Sequence, residues 1–280
     1  MPASSKRSRR IKARESDYKQ TGVMRKAKKN KFDTSGETEE VVRDIGNRKK
    51  LHPNDLCNLQ PKNLRQEEFL RLFYEGTPLL VASGSAGVGK SFLALYCALS
   101  EVLREDTPYD KVILIRSAVQ TRDIGALPGE ASGEDSKASP FEDIYHGICQ
   151  DILPKFNDGY KHLKSLGYLE FHLTSFLRGA TFDRAIIIVD ESAACNYHEL
   201  STATSRVGLN SRLIICGDTK QDDLESKGKK SDKSGFGHYL KVVEKMPASM
   251  TGVVHFTVDD IVRSSLVKSF LIADAEASSN

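Results

Sequence analysis

Gly84-Ser85-Ala86-Gly87-Val88-Gly89-Lys90-Ser91 is the stretch from which the rest of the chain is read. It fits the spacing G-x-x-x-x-G-K-[ST], with an additional glycine at its centre. The glycines let the backbone fold so that successive N–H groups converge on phosphate oxygens, with the positive end of a helix behind them. Lys90 is spaced to reach the β- and γ-phosphates, and Ser91 to offer its hydroxyl oxygen to Mg²⁺. The context agrees. Leu79–Ala82 reads as a strand before the loop. Lys90 opens a helical pattern in which Phe92, Leu93, Leu95, Tyr96, Leu99, Val102 and Leu103 cover most of the girth.

Outward from the loop, short apolar runs alternate with helical patterns. Further strands are expected at Val112–Ile115, Leu169–Leu173, Ala185–Val189, Leu213–Cys216 and Val253–Phe256. Three of these, at 112–115, 185–189 and 213–216, are apolar without interruption, as strands covered on both faces are. A second helix is expected to open at Ser139-Pro140-Phe141-Glu142, a capping box with proline in the first turn. Its stripe is Phe141, Ile144, Tyr145, Ile148 and Ile152. A third is expected from about Asp259, burying Val262, Leu266, Phe270 and Ala273. The alternation predicts an α/β fold with a doubly wound parallel sheet.

Two further stretches carry chemistry. Ile186-Ile187-Ile188-Val189-Asp190-Glu191 is an apolar strand ending in two carboxylates, which sets them at the edge of the sheet where ligands bind in such folds. Asp190 is expected to hold the magnesium shell, and Glu191 to orient and deprotonate the attacking water. Gly217-Asp218-Thr219-Lys220-Gln221 follows the next strand. Gln221 there could hydrogen-bond the γ-phosphate or the water. The expectation is a magnesium-dependent P-loop NTPase.

Composition bounds the setting. The 280 residues are 39% hydrophobic and 28% charged, as in ordinary globular proteins. No apolar run approaches the ~20 residues of a membrane span, and no secretory signal is legible. Cys57, Cys97, Cys149, Cys195 and Cys216 are scattered and odd in number, which argues against a disulfide framework and for a cytoplasmic setting. The net charge of +3 hides an asymmetry, because residues 1–50 carry 16 Lys+Arg and 7 Asp+Glu, or +9. Residues 1–56 read as a basic, largely disordered arm and linker, 57–275 as the NTPase domain and 276–280 as a tail. The arm is either a solvated terminus or a contact for nucleic acid, whose phosphates release counterions to clustered Lys and Arg. Lys227, Lys229, Lys230 and Lys233 crowd a second loop with the same two readings, and Thr121–Ser139 reads as a mobile loop or lid.

With these motifs in order, the chain resembles the PhoH-like ATPases, over roughly Gln60 to Ala273. Several matched stretches lie outside the generic nucleotide motifs. They are Arg116-Ser117-Ala118-Val119 with Ala126-Leu127-Pro128-Gly129, Phe176-Leu177-Arg178-Gly179, Ser205-Arg206-Val207-Gly208, and Asp260 to Val267. The wording is closest to the short phage-encoded members, which would place it in a host cytoplasm. The resemblance implies a single helicase-type (RecA-like) core, ATP as nucleotide, and RNA or single-stranded nucleic acid as partner. It also implies that Gln66 contacts the adenine edge, against a plain polar role on a helix. Arg206 and Arg263 become candidates for γ-phosphate contact, or for pairing with a carboxylate. Arg263, in the last helix with no second core after it, is expected to reach a neighbouring subunit's phosphate in a homo-oligomeric ring such as a hexamer. One departure stands out. Where the family continues with glutamine and asparagine after the acids, this chain has Ser192-Ala193-Ala194, which puts unwinding in doubt more than hydrolysis.

Overall fold

Apolar runs without a polar phase form the centre of a six-stranded sheet. In the computed structural model the strands are β1 (Leu79–Gly84), β2 (Lys111–Arg116), β3 (Leu169–Leu173), β4 (Ala185–Asp190), β5 (Arg212–Gly217) and β6 (Thr251–Phe256). They lie in the order β3-β2-β4-β5-β1-β6, and each neighbouring pair is parallel. The structure describes residues 51–117, 134–177, 179–218 and 235–277. All fall in the second of the chain's two units, Lys49–Asn280. The basic arm, the lysines at 227–233 and most of the 121–139 stretch lie outside the described residues.

Alternation along each strand splits the core in two. Leu80, Ala82, Leu114, Ile188 and Ile214 face one cluster. It is closed by α1 (Leu64–Tyr74), α2 (Lys90–Val102), α3 (Glu134–Ile152) and α4 (Gly159–Ser165). Val81, Ile113, Ile115, Ile187 and Ile215 face the other cluster. There α5 (Tyr197–Ser205) and α6 (Phe236–Val243) supply Leu200, Phe236 and Leu240. Burial on both faces is why these strands show no polar alternation. The fold is a doubly wound α/β core of the P-loop kind. Among the described residues, no helix is long and apolar enough to cross a membrane.

Two helix starts differ from the sequence reading. The second helix begins at Glu134, five residues before Ser139, so Pro140 lies inside it and Ser139 is not its cap. Along its stripe Tyr145 and Ile152 are buried, while Ile144 is 46% exposed. The last helix, α7 (Ser265–Ala277), starts six residues after Asp259. Thr257 and Asp260 close a capping box around a single 3₁₀ turn, Val258–Asp260, and Ile261 then turns extended. The break resets the phase. Ile261 enters the core and Leu271 packs against it, whereas Leu266 (79% exposed) and Phe270 (67%) face outward.

Candidate nucleotide site

The site forms where β1, β4 and β5 end together. β1 closes on Gly84, where a Cβ would stand 1.9 Å from the Phe256 carbonyl oxygen at the end of β6. Gly87 and Gly89 hold φ of +80° and +90°, a region that costs glycine nothing. Gly89 is also the N-cap of α2, so the helix starts on the loop as expected. The Lys90 ammonium donates to the carbonyls of Gly84 (2.6 Å) and Ser85 (2.8 Å), which ties it to the loop it would serve.

Asp190 is 2% exposed, and both of its oxygens are engaged. Oδ1 accepts from the Ser91 hydroxyl at 2.8 Å, and Oδ2 from the Tyr145 hydroxyl at 2.9 Å. Burial first, and then the charge of Asp190, push the Tyr145 phenol well above its ordinary pKa. Glu191 follows with φ +50°, a left-handed conformation rare for a non-glycine residue and typical of strained functional sites. Its own pKa is raised, chiefly by burial and then by Asp190, with Arg116 and Lys90 opposing. A carboxylate shifted upward accepts protons more readily near neutral pH. The next turn, Ser192–Ala194, is fastened by the Ser192 hydroxyl to the Cys216 carbonyl at 2.8 Å, with Ala193 buried.

A cavity of about 670 Å³ opens over these groups, lined by Gly87, Lys90, Ser91, Asp190 and Glu191. Asn58, Gln60 and Gln66 line it beside Ile144 and Ile148 of α3. Gln66 is 4% exposed; its Oε1 accepts from the Lys62 N–H (2.8 Å) and its Nε2 donates to the Val88 carbonyl (3.0 Å). It thus clamps the preceding segment to the loop, with a second N–H still to place.

The two arginines lie at opposite ends of the sheet, and Arg263 is not in the last helix as expected. Arg263 precedes α7 and lines its own chain's cavity. Its Cγ lies 3.0 Å from a Cβ built on Gly87, and the neighbouring Val262 N–H donates to the Gly87 carbonyl at 3.1 Å. The extended turn after Asp260 sets its stem beside the glycine loop of its own chain, while the side chain stays exposed. Arg206 sits at the other end of the sheet. It donates to the Ala180 carbonyl at 3.2 Å and its carbonyl accepts from the Phe182 N–H, both in the approach to β4. The loop stands at the strands' C-terminal ends, so Arg206 is no contact for its own chain's phosphates. Gln221 and Arg178 lie outside the described residues. Sequence reasoning took Tyr145 only as part of a core stripe and passed over Asp218, which lines the cavity. A hydroxyl within a buried stripe was the available signal, because such a group needs a partner.

The chain is similar to several known proteins. Among solved structures, the large terminase of a thermophilic bacteriophage, in complex with ADP, is 15% identical with a TM-score of 0.42, covering 74% of this chain and 48% of that one. Protein PhoH of Escherichia coli K12 is 28% identical over 220 residues, 78% of this chain and 59% of that protein. The PhoH-like protein of Bacillus subtilis is 29% identical over 219 residues, 77% of this chain and 64% of its own length. The chain thus spans less than two thirds of these curated relatives. The family model described as PhoH-like protein matches residues 58–274, which takes in the loop, the acidic strand end and the cavity they share, and the chain belongs to that family.

Proposed function

We propose that the chain is a magnesium-dependent ATPase that hydrolyses ATP to ADP and phosphate, and that RNA or single-stranded nucleic acid is its substrate or its stimulus. The observation that carries the reading is the Ser91–Asp190 hydrogen bond of 2.8 Å beneath a glycine cradle, with Glu191 next in line. A hydroxyl and a carboxylate are hard oxygen donors, which fit magnesium, and the left-handed glycines fit phosphate. When bound, magnesium would neutralise charge on the phosphate oxygens, held through Ser91 and Asp190. The loop N–H groups bind the phosphates, and Lys90 adds a charge that stays with them through the transition state. Glu191 takes a proton from the attacking water, and its raised pKa suits that task. Arg263, on the loop's own flank, is placed to meet phosphate charge in cis.

The nucleic-acid part rests on the +9 of residues 1–50 and on the family resemblance. Weak or absent unwinding by a lone subunit and a homo-oligomeric ring are parts of the same reading. Phosphate release measured with and without RNA, single-stranded DNA and duplexes tests it. Turnover should exceed that of a Lys90→Ala chain and rise with a single strand. Turnover no higher than that variant's would remove the enzyme, and phosphate appearing only on an acceptor would make it a kinase.

A further inference from the structure

Tyr145 and Asp190 are 45 residues apart and on different elements, yet both are almost wholly buried and joined by one hydrogen bond. The Tyr145 ring is 1% exposed. It stacks on Tyr160 at 6.5 Å and tilts against Phe171 at 6.0 Å, so its hydroxyl has a fixed direction. The plain account is a core tyrosine that has found an acceptor. Against it stands the choice of acceptor. A buried phenol can be satisfied by any nearby carbonyl, and this one meets the carboxylate that also receives Ser91. With one donor on each oxygen, the carboxylate cannot rotate without breaking both bonds. With the phenol gone, one oxygen of a buried charge has lost its donor, and the plane of the group is set by Ser91 alone.

We propose that Tyr145 is a positioning residue, which holds the Asp190 carboxylate facing Ser91 and so sets how tightly the site takes a divalent cation together with nucleotide. This rests on the nucleotide reading of the same site. It makes α3 part of the metal-sensing apparatus, although no residue of α3 belongs to the phosphate loop or the acidic pair.

The test uses the full chain and a fluorescent ADP analogue, titrated with magnesium chloride and also measured in EDTA. Tyr145→Phe keeps the ring and its stacking and removes only the hydroxyl. Tyr160→Phe is the control, since its hydroxyl, in the same stack, donates to Glu142 at 2.6 Å and not to Asp190. The magnesium concentration for half-maximal tightening should rise about tenfold in Tyr145→Phe, the scale of one hydrogen bond to a charged group. Affinity in EDTA should be unchanged, and Tyr160→Phe should titrate like the native chain. An unchanged midpoint in Tyr145→Phe overturns the proposal, and so does an equal loss with and without magnesium. The same shift in Tyr160→Phe would assign the effect to packing. A native chain whose affinity ignores magnesium would remove the metal reading itself, and this inference with it.

Discussion

In the proposed mechanism Lys90 and Glu191 face different stages of one reaction, and substitution should separate them. The Lys90 ammonium meets charge that the phosphates carry before any bond breaks, so Lys90→Ala should weaken nucleotide affinity by about tenfold or more. Glu191 acts on the water, so Glu191→Gln should bind nucleotide as before and lose about 10²-fold or more in turnover. Equilibrium binding and single-turnover hydrolysis on the two variants decide this, and full activity in Glu191→Gln would end its assignment as the base. The structure brings these two residues into one cavity with Ser91 and Asp190, and each was named by a local pattern: the glycine-rich loop or the acidic end of an apolar strand. Tyr145 was not. Its role depends on a bond to a residue 45 positions away, and no local pattern separates it from an ordinary stripe residue. Arg263 was legible as a candidate but was misplaced, because the break at Ile261 that turns it toward Gly87 leaves no periodic trace.

Whole elements followed the same division. All six strands fall where apolar runs place them, and for β1, β2, β4 and β5 burial on both faces writes itself directly into composition. Helix ends did not, because caps compete. Ser139-Pro140 reads as a start although the helix begins five residues before it, and the Thr257–Asp260 box closes one 3₁₀ turn rather than opening a long helix. One tie between elements gives a measurable prediction. Arg212, at the start of β5, donates to the carbonyl of Phe73 (2.6 Å) near the end of α1 and to that of Thr77 (3.1 Å) just beyond it. Its guanidinium also lies 4.2 Å from the Phe73 ring centroid. The carbonyl end of a helix favours a cation there, and Arg212 is only 8% exposed. Arg212→Met keeps much of the stem and removes its donors, leaving the Phe73 carbonyl with its backbone partner Gly76 (3.0 Å) and the Thr77 carbonyl to find another. Unfolding in urea should show a loss of about 2–4 kcal/mol, with nucleotide affinity intact below the transition. A loss under about half a kcal/mol would mean that water replaces the arginine at both carbonyls.

Over the whole molecule, two predictions separate what the chain does alone from what it does with partners. Residues 1–31 carry 12 Lys+Arg and 2 Asp+Glu, so removing them takes away a charge of +10. Affinity for single-stranded RNA should fall and its dependence on salt should flatten, because fewer counterions are displaced on binding. Basal ATPase should hardly change, since the cavity residues all lie beyond position 56. An unaltered salt slope would release the arm from any contact with nucleic acid. The other prediction concerns which subunit an arginine serves. Arg263 would be a natural trans contact if it pointed away from its own loop, and a ring would then complete each site at an interface. Its stem instead packs against Gly87 of the same chain, and it lines the cavity that Lys90 and Glu191 also line. On the proposed cis reading, each site draws its lysine and this arginine from one subunit. A Lys90→Ala chain and an Arg263→Ala chain, each impaired alone, should show no recovery of ATPase when mixed, because every site in the mixture still lacks one of the two groups. Subunit exchange has to be verified by a tag on one chain, so that silence is not mere failure to mix. Partial recovery with exchange verified would mean that Arg263 leaves its own loop in the assembled protein and meets the phosphate of a neighbour.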